Sequence, residues 1–184
     1  MGYTTDADGG EKNWLQRLAD KIPGFSGYQA KERRRDIDKL HRDALADRLR
    51  AVKPAIAAAV RDLTDGGRLL EVAPLDRASK KLDAAENKVR FATYGYSGFF
   101  DAVQIKEEHL DRLYQFDLRL VEGVEVIERQ AEALRQGSNT ATDLKLAAGN
   151  LEQAIDAFNA QFDQRQQAIN GFGAESAPGR PLFQ

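Results

Sequence analysis

The 184-residue chain has no cysteine. Disulfides, zinc–thiolate sites, iron–sulfur clusters and thiol catalysis are therefore outside its chemistry. It has five prolines, so little in it interrupts helix. It has two histidines, His41 and His109. A di-iron bundle site needs two Glu-x-x-His motifs and two further inward acids. The nearest approach is Asp38-x-x-His41, and Lys106 takes the acidic place before His109. No metal and no cofactor is expected, and both histidines are expected at surface or flanking positions. No apolar run approaches the roughly 18 to 20 residues that span a bilayer. Charge of one sign is lacking too: 27 basic residues stand against 29 acidic ones, a formal charge of −2. No global pull toward nucleic acid or anionic lipid follows from that balance.

What is present is helix-forming sequence. Hydrophobic residues make up 42% and charged residues 30% of the chain, a mixture that suits amphipathic helices. The polar "MGYTTDADGG" is unlike a secretory leader, and residues 1–10 read as a disordered arm. Trp14, Leu15 and Leu18 share a face of a first helix over 11–21. "IPGFSG" stops it. A second helix carries Ile37, Leu40, Ala44, Leu45, Leu49, Val52, Ile56, Ala59 and Leu63 at spacings of three and four. Pro54 should kink or split it, and "TDGG" ends it. Asp76 reads as the N-cap of a third helix bearing Leu82, Ala85 and Val89. A fourth helix is expected over 106–135.

Thr140 and Asp143 fit a capping box for a fifth helix. Its seam is Leu144, Ala148, Leu151, Ile155, Phe158, Phe162, Arg165 and Ile169, alternating by four and three as in a coiled coil. The short loop predicts an antiparallel hairpin over 106–170. Helix four is apolar around most of its circumference, so other helices should surround it. The expected fold is all-α: one elongated bundle of about five helices over 11–170, with a flexible tail at 171–184.

Two charged residues interrupt the apolar seams, Asp117 on helix four and Arg165 on helix five. A turn centred near residue 139 puts Arg165 close to Leu113, about one helical turn from Asp117. The long guanidinium can close that gap. A buried Asp117–Arg165 pair that fixes register is one reading; two solvated edge residues is the other.

"GFSGY" at 24–28 and "GYSGF" at 95–99 are near-copies. Superposing them aligns neither the hydrophobic positions nor the charges that follow, so duplication is not indicated. No Walker lysine and no dinucleotide glycine pattern accompanies them. There is no Gly-x-Ser-x-Gly nucleophile elbow either, and no enzyme is expected. The pentapeptides read as joints, glycine reversing the chain while Phe25, Tyr28, Tyr94, Tyr96, Phe99 and Phe100 plug the corners. A functional aromatic surface is the competing reading.

"IPGFSGYQAKERRRD", "FATYGYSGFFDAVQI" and "LDRLYQFD" together resemble a family of uncharacterised bacterial all-helical proteins. Its members carry Ile-Pro-Gly-aromatic-x-Gly-Tyr and Tyr-Gly-Tyr-x-Gly-Phe-Phe-Asp. The resemblance covers roughly 14–170. It implies one all-helical unit and a bacterial origin, and it brings no activity and no catalytic residue.

Residues 28–53 hold nine basic against five acidic side chains, and 101–136 hold five against nine. Lys31, Arg33, Arg34, Arg35 and Arg42 form the densest candidate interaction surface. Solvated faces, self-assembly of basic helix on acidic helix, and a nucleic-acid or anionic-membrane patch all fit. Interleaved acids weaken the last, because phosphate binding wants unopposed charge. The expected function is a non-catalytic, cytoplasmic interaction or scaffold protein with a protein partner or a second copy. The alternative is a binder of nucleic acid or membrane surface through 31–53.

Overall fold

A computed structural model describes residues 7–92, 99, 100, 102, 105–136 and 141–176, with side chains left undescribed at 7–13, 135–136, 141–142 and 173–176. Among the described residues the protein is all-α, without strands. The helices are α1 (Ala7–Lys21), α2 (Arg34–Asp65), α3 (Ala73–Arg90), α4 (Glu107–Gln136) and α5 (Ala141–Ser176). Single 3-10 turns cover Lys31–Arg33 and Leu69–Glu71. No described helix is long and apolar enough to cross a membrane. The chain's contacts group into two compact units. The first draws on Met1–His41, Thr93–Leu118 and Asp163–Gln184, the second on Arg42–Ala92 and Arg119–Phe162.

The second unit follows the apolar stripes closely. Its core takes Leu45, Leu49, Val52, Ile56, Ala59 and Leu63 from α2. It adds Leu75, Ala78, Leu82, Ala85 and Val89 from α3, Leu120, Val124, Ile127, Ala131 and Leu134 from α4, and the α5 seam from Leu144 to Phe162. Each set repeats at three and four residues, so each buries one face. Pro54 does not split α2. It sits on the exposed side, where the carbonyl it leaves unpaired meets water. The helix ends in a Schellman arrangement: Arg68 N–H donates to Leu63 O at 2.8 Å and Gly67 N–H to Thr64 O at 3.1 Å. Asp76 is not the N-cap of α3. Val72 takes that place and Pro74 occupies the first turn, where its missing donor costs nothing.

The first unit is richer in aromatics. Leu18, Ile22, Phe25, Tyr28, Ile37, Phe99, Phe100, Leu113, Tyr114 and Phe172 are all buried. α4 and α5 run antiparallel here, since His109 stacks on Phe172 while Asp117 meets Arg165. The "GFSGY" corner behaves as a joint. Tyr28 packs on Phe25 at 5.6 Å, on Tyr114 at 5.7 Å and on Phe100 at 6.2 Å between ring centroids. Tyr94, Tyr96 and Thr140 lie outside the described residues.

Two boundaries differ from the sequence reading. α1 begins at Ala7 rather than Glu11, because Gly9 and Gly10 in its opening turn lower helix propensity without blocking it. α5 runs to Ser176 although the tail was expected from 171. Phe172 continues the Arg165–Ile169 stripe, and its burial outweighs the helix cost of the flanking glycines.

Gly27 has φ +81°. A Cβ there would lie 2.9 Å from the Tyr114 hydroxyl and 3.0 Å from Leu15 Cδ1. Gly67 has φ +71°, and a Cβ there would meet nothing within 4 Å. Gly67→Ala should therefore cost only the backbone strain, about 1 kcal/mol. Gly27→Ala adds a steric clash to the same strain and should cost at least about 2 kcal/mol. Urea unfolding of the two variants measures the difference, and equal losses would contradict the crowded joint.

Candidate functional site

The most densely polar place in the first unit is inside it. Arg34, Ile37, Asp38 and His41 continue the three-and-four spacing of the α2 core stripe, so the stripe carries charge inward at this end. α4 contributes Asp117, α5 contributes Arg165, and the glycine joint delivers Tyr28. Tyr28, His41, Asp117 and Arg165 are 0% exposed, and Asp38 is 3% exposed. Arg165 Nε donates to Asp117 Oδ1 at 2.5 Å and Arg165 Nη2 to Asp38 Oδ1 at 2.7 Å. Arg165 Nη2 also lies 3.3 Å from the Tyr28 hydroxyl. The Tyr28 hydroxyl donates to Asp117 Oδ2 at 2.7 Å, and Tyr28 N–H donates to the Tyr114 hydroxyl at 3.0 Å.

The electrostatics follow from two carboxylates around one guanidinium. Burial disfavours the Arg165 charge, but Asp117 and Asp38 outweigh it and hold its pKa well above the ordinary value. Burial, reinforced by Asp117, pushes the Tyr28 phenol well above 10, so it remains a hydroxyl donor. His41 Nδ1 lies 3.6 Å from Asp117 Oδ1, yet neither ring nitrogen makes a hydrogen bond among the described residues. Burial lowers the His41 pKa; Arg165 acts in the same sense and Asp117 and Asp38 oppose it.

The sign of the pH effect follows. Below pH 6.5 the unfolded chain takes up a proton at this histidine that the folded chain resists. Stability from His41 is complete above about 6.5 and is lost as pH falls through the lowered folded value. Urea midpoints should fall from pH 7 to pH 5, and His41→Gln should flatten that slope. Parallel slopes for wild type and variant would refute the assignment.

The structure thus brings Asp117 and Arg165 into direct contact and adds three partners that the sequence reading passed over. In the sequence Tyr28 reads only as part of the aromatic corner, and His41 as a surface or flanking residue. His109 was also expected outside, but it is 4% exposed and stacked on Phe172 at 4.4 Å. Among the described residues no group of three or more His, Asp or Glu side chains could hold a metal ion.

The basic surface needs the largest correction. Arg34 and Arg42 are each 4% exposed. In the first unit Arg34 donates to Tyr28 O and Ala102 O, both at 2.7 Å. In the second, Arg42 Nη1 reaches Ala92 O at 2.9 Å and Val89 O and Arg90 O at 3.4 Å. It thereby satisfies carbonyls that the end of α3 leaves orphaned. Both arginines are internal caps, not contact residues. Lys31, Arg33 and Arg35 are exposed.

Further along α2 the cations meet acids of the second unit. Arg48 binds Glu128 through two bonds of 2.8 and 2.6 Å. Lys53 reaches Asp83 at 2.7 Å and Glu86 at 2.6 Å, and Arg50 reaches Glu86 at 2.9 Å. Burial pushes the Glu86 carboxyl up, but Lys53 and Arg50 outweigh it and hold it below its usual range.

Apolar surface is exposed in the second unit. Leu70 is 98% exposed and Leu69 64%. Leu70 stands at a hollow of about 450 Å³ formed with the start of α3 and the first turns of α5. No protein family, curated protein or solved structure matches the chain.

Proposed function

We propose that this chain is a non-catalytic helical interaction protein that offers a helical surface to a protein partner or to a second copy of itself. The observation that carries the reading is the contrast between its two polar and apolar features. The clustered polar groups of the first unit, Tyr28, His41, Asp117 and Arg165, have no exposed surface with which to touch a substrate. The leucines at 69 and 70 face water, where a partner can cover them. Kinship with the bacterial helical family of the shared motifs and a cytoplasmic location belong to the same reading. The alternative, a nucleic-acid or membrane-surface binder, is weaker. Of nine cations over 31–53, Arg34 and Arg42 are buried and Arg48, Arg50 and Lys53 are paired with acids.

Light scattering at 50 and 500 mM salt, with single-stranded oligonucleotide and anionic vesicles as probes, tests this. A mass of twice the 20.5 kDa chain at both salts and no salt-steep binding is the expected result. A monomer at both salts whose binding to either probe falls steeply with salt would replace this reading with the alternative.

A further inference from the structure

We propose that Asn170 is a covalent modification site: its amide converts to aspartate and isoaspartate, the docking of Phe172 sets the rate, and conversion releases the end of α5 from the core of the first unit. Asn170-Gly171 is the one Asn-Gly pair in the chain. The other five asparagines precede Trp14, Lys88, Thr140, Leu151 and Ala160. Glycine, with no side chain, leaves its backbone nitrogen unhindered for attack on the side chain before it. Asn170 and Gly171 are both exposed, and a Cβ at Gly171 would meet nothing within 4 Å, so water reaches the pair.

The chemistry needs only water. The Gly171 nitrogen attacks the side-chain carbonyl carbon of Asn170. The bond from that carbon to the amide nitrogen breaks, and ammonia leaves with the proton from the Gly171 nitrogen. Water then opens the cyclic imide at one of its two carbonyls, giving aspartate or isoaspartate. Nothing is oxidised or reduced. Closed helix resists the attack, because the Gly171 N–H is held in the helical ladder and helical ψ keeps that nitrogen away from the side chain. The reaction therefore runs through an opened end of α5. Glycine at 171 and 173 lowers the cost of opening. Phe172 raises it, packed as it is on His109, Phe99 and the Arg112 guanidinium. Isoaspartate adds a methylene to the backbone between Ile169 and Phe172, which are 3% and 4% exposed. A spacing of three sets both side chains on one face of α5, and the longer link breaks that spacing. With Ile169 in place, Phe172 then loses its seat.

Peptide mapping by mass spectrometry follows the conversion in the full chain, aged at mildly alkaline pH beside the guanidinium-unfolded chain. The expected result is faster amide loss at Asn170 than at any of the other five asparagines, and slower loss in the folded than in the unfolded chain. Phe172→Ala should convert at least about tenfold faster than wild type, since the opening that Phe172 resists limits the reaction. If Phe172→Ala loses helical signal, Phe172→Leu serves instead and should still outpace wild type. Aged wild type should show faster amide exchange over 170–176 than fresh protein, and aged Asn170→Gln should not. A Phe172 variant that converts no faster than wild type would overturn the role of Phe172. Conversion that leaves exchange over 170–176 unchanged would overturn the release. No conversion at Asn170 in either folded protein, once the unfolded chain has converted fully, would overturn the site itself.

Discussion

Arg165→Met will destabilise the protein by about 3–5 kcal/mol, the cost of removing one partner from a buried ionic group. The magnitude comes from what remains. Asp117 and Asp38 both bond to this guanidinium, and both are buried. Without it two carboxylates share a space closed to water, and the Tyr28 hydroxyl can satisfy only one oxygen of Asp117. Asp117→Leu should cost less, because Arg165 keeps Asp38. Replacing Asp38 and Asp117 by leucine together with Arg165→Met should recover most of the loss, since apolar substitutes of similar volume often match or exceed a buried ion pair. Urea unfolding of the three variants reads this order. A loss below about 0.5 kcal/mol for Arg165→Met would mean that the cluster is solvated.

Phe172→Ala should cost about 3 kcal/mol or more. Phe172 is 4% exposed and packs on three sides: His109 at 4.4 Å, Phe99 at 5.6 Å and the Arg112 guanidinium at 5.4 Å. Truncating it leaves a cavity among rings from α4 and from residues 99–100. The same change should also loosen α5 beyond Ile169, seen as faster amide exchange over 170–176 than in wild type. Unchanged stability and exchange would place this end of the helix outside the core.

The second unit was legible because its stripes are uninterrupted. Leu45 to Leu63 on α2 and Leu144 to Phe162 on α5 repeat at three and four residues, and nothing polar breaks them. The first unit was legible only in part, because its stripe passes through Arg34, Asp38 and His41. Periodicity read on apolar residues alone slid the face toward Leu40 and Ala44, which are only half-buried. Asp117 and Arg165 stood out because each interrupts an otherwise apolar seam. Asp38 had no such contrast, being one of five acids in a charged stretch. Arg34 and Arg42 were read as surface because buried arginine is rare. Arg34 bonds to the nearby Tyr28 carbonyl, but its other short acceptor is Ala102 O and those of Arg42 are the Val89, Arg90 and Ala92 carbonyls, too distant in sequence for any local pattern to name. Phe172 was hidden by the glycines on either side of it, which mark a helix end only when no core claims the residue between them.

That the charges inside the first unit hold its fold is tested most directly by a double-mutant cycle on Asp117→Leu and Arg165→Met. Direct contact predicts that the two losses fall short of additivity by on the order of 2 kcal/mol, with the double variant retaining wild-type helical signal and mass. Strict additivity, with each single change below about 0.5 kcal/mol, would contradict it and show that Asp117 and Arg165 do not meet in the folded protein.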